Sequence, residues 1–245
     1  MMRLSRRQFV ALTVPAVAVC QAPQNRLLRV VCVGGHPDDP ESGCGGTLAR
    51  YAALGHAVTV IYLTRGEAGI AGKSHDEAAG IRSAECSAAC KILGAKPVFA
   101  GQVDGATTVD AKAADSFARV LSAERPHVVF TQWPIDTHLD HQAASTLAFR
   151  AWLAAGRSFE LYYYEVNLGS QTMGFHPTDY VDITAVREKK KAALFSHKSQ
   201  NDEEIYRRHH EPMENLRGRE TGTAAAEAFV HLARVSGASP LPGLG

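Results

Sequence analysis

Charge imbalance is nearly absent from this 245-residue chain: 26 lysines and arginines stand against 25 aspartates and glutamates. No net field therefore invites nucleic acid or an anionic membrane surface. Cysteine is scarce, with 5 in all and no CxxC pair, which excludes a disulfide scaffold and a thiolate zinc ribbon. The apolar stretch at 9–19 is too short to cross a bilayer, which takes about 20 helical residues. A G-x-G-x-x-G fingerprint, a GxxxxGK[ST] loop and a G-x-S-x-G elbow are all missing, which removes the ordinary nucleotide-binding and serine-hydrolase readings. What is present is a globular composition, 45% hydrophobic and 21% charged. The length suits one large or two small domains at ~100–200 residues each. There are also 11 histidines, residues that serve both as metal ligands and as acid–base groups near neutral pH.

The N-terminus reads as an export address. Ser5-Arg6-Arg7-Gln8-Phe9 resembles the twin-arginine motif, an uncharged stretch follows, and small residues close it around Cys20 and Ala22. We assign 1–22 to this signal, which places the mature protein in a bacterial periplasm or cell envelope; a basic amphipathic starter helix is the plain alternative. Cys20 stands where a lipoprotein would be acylated and lipid-anchored, but Val19 before it favours ordinary signal-peptidase cleavage. Removing 1–22 leaves 23 basic against 25 acidic residues and four cysteines, Cys32, Cys44, Cys86 and Cys90. Their apolar settings read as buried small hydrophobes, with disulfides allowed but not required.

An apolar, β-branched run at 27–34 predicts a buried first strand. A Gly/Pro/Asp-rich turn at 34–46 follows, then a helix at 47–54 ended by Gly55. Further strands are expected at 58–63, 97–100, 128–131 and 161–166. Helices are expected at 76–93 with Gly94 as C-cap, and at 112–124, 141–155, 187–197 and 205–219. This alternation implies βαβ crossovers: an α/β, Rossmann-like fold with a mostly parallel sheet and helices on both faces. No repeat or linker divides it, so 23–235 reads as a single domain and 236–245, small and Pro/Gly-rich, as a flexible tail. Lys189, Lys190 and Lys191, with Arg207 and Arg208, read as solvated helix faces rather than phosphate sites. Ligands of parallel sheets bind beyond the C-terminal strand ends, which selects the loops after 34, 64, 100 and 131.

Two polar clusters fall on those loops. The first is Gly35-His36-Pro37-Asp38-Asp39-Pro40-Glu41 and the second Asp136-Thr137-His138-Leu139-Asp140-His141. Histidines and a carboxylate converging from separate strand ends suit a metal with an open coordination position. Pro37 stiffens the turn, so Asp38 and Asp39 can diverge, one toward a metal and one toward a bound water. His138 and His141, three apart, share a helix face. Taken singly, each cluster also fits an Asx turn or a helix N-cap; together they point to a metal site.

These residues resemble the PIG-L/LmbE-like N-acetylglucosaminyl deacetylases. The likeness runs from Gly35-His36-Pro37-Asp38-Asp39 and Gly43-Cys44-Gly45-Gly46-Thr47 through Leu63-Thr64-Arg65-Gly66-Glu67 and Arg82-Ser83-Ala84-Glu85. It continues through Asp104-Gly105, His138-Leu139-Asp140-His141 and His197-Lys198-Ser199-Gln200 to Ala226-Glu227-Ala228-Phe229. The resemblance implies His36, Asp39 and His141 as ligands of one Zn²⁺ and Asp38 as the general base. It implies His138 as the group that stabilises the oxyanion or protonates the leaving amine, with Asp140 orienting it, and Arg82 and Asp104 as grips on sugar hydroxyls. Without it, Arg82 and Glu85 would read as a helix surface pair and Asp104 as a turn residue. The chain departs from the family at Pro40, where many relatives carry a glutamate directly after the paired aspartates; Glu41 comes one place later. Two histidines and a carboxylate also accommodate Fe²⁺, Co²⁺ or Mn²⁺.

The function implied is removal of an acetyl group from the nitrogen of an N-acetylglucosamine-type sugar, small or oligosaccharide, with no nucleic acid or transmembrane partner. Two alternatives share the fold. One is an amidase for a larger sugar conjugate or acylated glycopeptide, which would differ in the loops at 66–80, 101–111 and 167–178. The other is a non-catalytic carbohydrate-binding protein, against which the complete set Asp38, His138 and Asp140 argues.

Overall fold

The computed structural model describes residues 27–167 and 169–232, so the export signal at 1–22 and the tail at 236–245 lie outside the described residues. The chain runs β1 (Arg29–Gly34), α1 (Asp39–Ala53), β2 (Ala57–Tyr62), α2 (His75–Leu93), β3 (Lys96–Phe99), α3 (Ala111–Ala123), β4 (Val128–Gln132), α4 (Leu139–Ala154) and β5 (Glu160–Tyr164). It continues with β6 (Asp179–Asp182), α5 (Arg187–Leu194), α6 (Asp202–Ile205), a π-helical turn (Tyr206–His210), α7 (Glu211–Thr221) and β7 (Ala226–His231). The strands form one seven-stranded sheet in the order β3-β2-β1-β4-β5-β7-β6. β1 to β5 are mutually parallel, and β7 is antiparallel to both its neighbours. The expected α/β, mostly parallel architecture is therefore present.

Because side chains alternate across a strand, β1 feeds two cores. Val30 and Cys32 pack with α1, α2 and α5 on one face, and Val31 and Val33 with α3 and α4 on the other. From β1 the chain builds outward through β2 and β3, then crosses to β4 on the other side. The order thus reverses between β1 and β4, and a crevice opens at the C-terminal ends of those two strands, where ligands of open α/β sheets bind.

Four local expectations are corrected. α1 begins at Asp39, eight residues before the helix expected at 47–54, and takes in Gly43, Gly45 and Gly46. Glycine is a poor helix former, but a Cβ at Gly43 would lie 2.2 Å from Tyr164 Cδ2, and one at Gly46 would lie 2.6 Å from Ile183 Cγ2. These residues let the helix lie against β5 and the 183–186 segment, and Pro40 sits in its first turn, where a missing N–H does no harm. β6 and β7 are additional strands. The helix expected at 187–197 stops at Leu194, and that at 205–219 is broken by the π turn. Finally, Lys190 is not on a solvated face: it is fully buried, with Nζ 2.8 Å from Glu214 Oε1 and 2.7 Å from Glu227 Oε1. The Glu227 carboxylate also accepts from the Gly46 and Thr47 amides, tying α1 to β7.

Candidate metal centre and active site

The turn after β1 sets two adjacent aspartates to different tasks. Asp38, at the N-cap of α1, has φ +112°, a conformation that an L-residue rarely adopts. Such strain costs on the order of 1–3 kcal/mol and collects at functional sites. Arg82, reaching over from α2, holds the turn: its Nη2 donates to the Pro37 carbonyl at 2.5 Å and to Asp38 Oδ2 at 2.8 Å. The Asp38 side chain thus remains 22% exposed beside the crevice, while Asp39 enters the helix and is buried. Glu41 is fully buried behind them, accepts the Tyr62 hydroxyl at 2.5 Å and lies 3.4 Å from His197 Nε2.

Asp39 stands between two imidazoles. Its Oδ2 is 3.2 Å from His36 Nδ1, and its Oδ1 is 3.2 Å from His141 Nε2. The outer nitrogen of each ring meets another carboxylate: His36 Nε2 lies 3.0 Å from Asp140 Oδ2 and 3.1 Å from Asp104 Oδ1, and His141 Nδ1 lies 3.1 Å from Asp136 Oδ1. A neutral histidine has one donor nitrogen and one acceptor. In His36 the outer N–H goes to a carboxylate and the inner nitrogen points a lone pair at Asp39. His141 Nδ1 lies between Asp136 Oδ1 at 3.1 Å and Gln171 Nε2 at 2.9 Å, and the tautomer that donates to Asp136 leaves Nε2 with a lone pair toward Asp39. Acceptors cannot face each other at 3.2 Å without a cation between them, a proton or a metal ion. Donors on one tetrahedral metal at bonds of about 2.0–2.2 Å stand about 3.3–3.6 Å apart, and a carboxylate on the outer nitrogen is the usual support of a metal-bound histidine. The donor types therefore suit a divalent transition metal at His36, Asp39 and His141, with His36 facing Asp39 Oδ2 and His141 facing Oδ1. His138 adds a ring nitrogen within 4.8 Å of those of His36 and His141, and His36, Asp104 and Asp140 make a second such group.

Without a metal, protons take its place. Burial opposes charging of both rings, but hydrogen bonds to Asp104, Asp140 and Asp39 raise His36 well above its ordinary pKa. Asp39 and Asp136 likewise lift His141 to about 9 against its burial. Asp38 moves the other way from an ordinary paired carboxylate: burial raises its pKa, Arg82 only partly offsets that, and the charge of Asp39 adds to it. His138 is lowered by burial and by the charges of His36 and His141, so its ring is neutral at neutral pH. Its Nδ1 accepts the Asp140 backbone N–H at 3.2 Å, which leaves the ring hydrogen on Nε2.

These groups line a pocket of about 290 Å³ with Ser42, Gly69, Asn167, Gln171, Gln200 and His210 among its other walls. That is near the lower end for small-molecule sites (~300–1,000 Å³), enough for one sugar ring. Seven of the eight residues singled out from the sequence line this pocket and the eighth, Asp140, backs it through His36, with two differences in detail. The Asp140 carboxylate does not touch His138: it accepts from Gly105 N at 2.8 Å and Thr107 Oγ1 at 2.6 Å and meets His36, so only its backbone orients His138. Arg82 and Asp104 are committed within the protein, Arg82 to Asp38 and Asp104 to His36 and the Ala68 amide. Asp136, Gln171, Asn167 and His210 are site residues that sequence reasoning passes over. Of these, Asp136 had a signal, since it belongs to the second polar cluster.

A Rossmann-like sheet with a carboxylate–imidazole cluster at its switch point defines an α/β enzyme class suited to metal-assisted hydrolysis. Within it, this chain belongs to the PIG-L family. The family model, described as GlcNAc-PI de-N-acetylase, matches residues 31–152. The chain is 31% identical over 200 residues to the diacetylchitobiose deacetylase of Thermococcus kodakarensis, covering 75% of this chain and 74% of that protein. A conserved protein of Thermus thermophilus superposes with a TM-score of 0.73 at 32% identity, over 86% of this chain and 98% of that one. The 4-carboxy-2-hydroxymuconate hydratase of Pseudomonas putida (TM-score 0.71, 23% identity, 86% and 98% covered) shares the fold alone. Fold by itself therefore leaves the reaction open, and the site must carry the argument.

Proposed function

We propose that this protein is an exported, zinc-dependent hydrolase that cleaves the acetamide of an N-acetylglucosamine-type sugar, releasing acetate and the free amine. The observation that carries the reading is the pair of imidazole nitrogens facing Asp39 at 3.2 Å, each backed by a carboxylate on its other side. Zinc, held by His36, Asp39 and His141, would polarise the acyl oxygen and acidify a water toward pH ~7.

The chain's own groups supply the rest. Asp38 accepts a proton from the attacking water, and its raised pKa keeps it basic enough for that task while Arg82 fixes its direction. The neutral His138 offers Nε2–H to the acyl oxygen as negative charge develops there, a preorganised donor of the oxyanion-hole type. As the C–N bond breaks, the proton held on Asp38 passes to the departing nitrogen. Asp136 and Asp140 hold the two ligand rings in one tautomer, so neither must reorient during the reaction.

A second reading, an amidase for a larger sugar conjugate, is favoured by the pocket's rim. Val103 beside Asp104, Leu139 beside His138 and Met173 two residues from Gln171 are 47–74% exposed, apolar surface next in sequence to pocket residues that a free monosaccharide would leave uncovered. Export is an independent part of the proposal: replacing Arg6 and Arg7 by lysine should retain the full chain in the cytoplasm.

The test is acetate release from N-acetylglucosamine and diacetylchitobiose by metal-stripped protein, with and without Zn²⁺, alongside Asp38→Ala and His141→Ala. Zinc-dependent release lost in both variants establishes the reaction. One equivalent of bound metal with no acetate turns the search to larger amides, and failure to bind metal sinks the reading.

A further inference from the structure

Two polar atoms on residues of one pocket wall carry no partner. His210, 3% exposed, lines the pocket from the end of the π turn. The Val166 backbone lies beside its ring, and its Nδ1 is buried with no partner. Beside Val166, Asn167 donates Nδ2–H to Gln171 Oε1 at 3.3 Å, and its Oδ1 is likewise buried with no partner. Both residues line the same pocket as the carboxylate–imidazole cluster. Buried polar atoms in native proteins are nearly always satisfied, so two unpartnered polar atoms on residues of one pocket wall await a partner from outside the chain.

Their placement is built in. Arg217 of α7 grips Glu165, next to Val166, with two bonds of 2.7 and 2.8 Å, which ties the loop after β5 to the helix that His210 introduces. The π turn closes with a Glu211 N–H to Tyr206 carbonyl bond, one residue wider than an α-turn. One residue is about 100° of helix rotation, so this insertion determines which way His210 faces. π-bulges of this kind gather at functional sites.

We infer that the His210 imidazole and the Asn167 amide form a polar pair that binds hydroxyls of a ring-bound polyol, and so select a sugar over an amide of the same size without hydroxyls. The inference deepens the deacetylase reading and rests on it. The His210 ring stays neutral across the working range, because burial and then the Lys190 ammonium hold its pKa down, with Glu214 opposing and His209 adding to the effect. A hydroxyl that reaches such an atom satisfies it, whereas a deoxy analogue leaves it bare, a difference of about tenfold in kcat/KM per bond.

The experiment is a cycle of protein variants against substrate analogues. Zinc-loaded wild type, His210→Phe, His210→Asn and Asn167→Leu are assayed on N-acetylglucosamine and its 3-deoxy, 4-deoxy and 6-deoxy forms. Wild type should lose about tenfold in kcat/KM on at least one deoxy analogue. That loss should shrink to within about threefold in His210→Phe or Asn167→Leu, and return in His210→Asn, whose amide oxygen can replace Nδ1. If His210→Phe does not fold, the Asn167→Leu and His210→Asn arms make the same comparison. Variants that scale all four substrates equally show a structural role and overturn the inference. No turnover of any sugar by wild type refutes the deacetylase reading itself, and this one with it.

Discussion

Replacing His210 by asparagine should flatten the acid side of the stability curve. Burial, with the Lys190 charge next, pushes the His210 pKa down to about 3 in the folded protein, against about 6.5 in an unfolded chain. A depressed histidine means that the unfolded state binds a proton the native state refuses. Stability from this group is therefore full above pH 6.5 and falls as the pH drops toward 3. With RT near 0.59 kcal/mol, protonation favours the unfolded chain by about 0.2 kcal/mol at pH 7 and about 2 kcal/mol at pH 5. The native state gains almost nothing in return at pH 5, and that holds for any folded value below 4. Lys190, held above its ordinary pKa by Glu214 and Glu227, keeps its charge over this range in both proteins. Urea unfolding of wild type and His210→Asn, in the same metal state at pH 7 and pH 5, isolates the term. Wild type should lose about 2 kcal/mol more than the variant between the two pH values. Parallel losses would refute the argument and mean that His210 takes up a proton in the folded protein.

Asp38→Asn should lower kcat/KM by about 10²–10⁴-fold while retaining one equivalent of metal by elemental analysis, since it removes a base and no ligand. Asp136→Asn takes the carboxylate from His141 Nδ1, 3.1 Å away, and should weaken metal binding by about 10–100-fold in chelator competition. Metal uptake by the stripped protein at pH 7 should release about two protons, counted by calorimetry in buffers of different ionisation enthalpy. The sign follows from His36 and His141 titrating above their ordinary values, so that both are charged before the metal arrives. Gly43→Ala should lower the melting temperature, because its Cβ would lie 2.2 Å from Tyr164 Cδ2 and 2.8 Å from the Glu165 carbonyl, an overpacking worth about 1–3 kcal/mol or more. Gly80→Ala in α2, where a Cβ meets nothing within 4 Å, should raise it through about 0.5–1 kcal/mol of helix propensity.

The legible parts of this molecule are those whose causes are local. β1, β2 and β4 declare themselves by short buried β-branched runs, β3 and β5 by short apolar and aromatic ones, and α2 by its length and by Gly94, which adopts the left-handed cap at φ +82°. α1 hides its first two turns because Gly43, Gly45 and Gly46 look like a loop, and the reason for them is Tyr164, Ile183 and Lys190, more than a hundred residues away. β6 and β7 hide because Asp179, Asp182 and an alanine-rich segment carry little strand signal; their pairing and the Glu227–Lys190 contact hold them. The same division runs through the site. His36, Asp38, Asp39, His138, Asp140 and His141 are legible because parallel strands deliver their following turns to one edge, so two short clusters suffice. Even there, the sequence does not disclose that Asp140 serves His36 rather than His138, because that choice depends on where Gly105 and Thr107 come to lie. His210 and Asn167 are harder still. One histidine among 11 carries no mark by type or spacing. What distinguishes it is a nitrogen without a partner, which exists only once Val166, Lys190 and the π turn have closed around it.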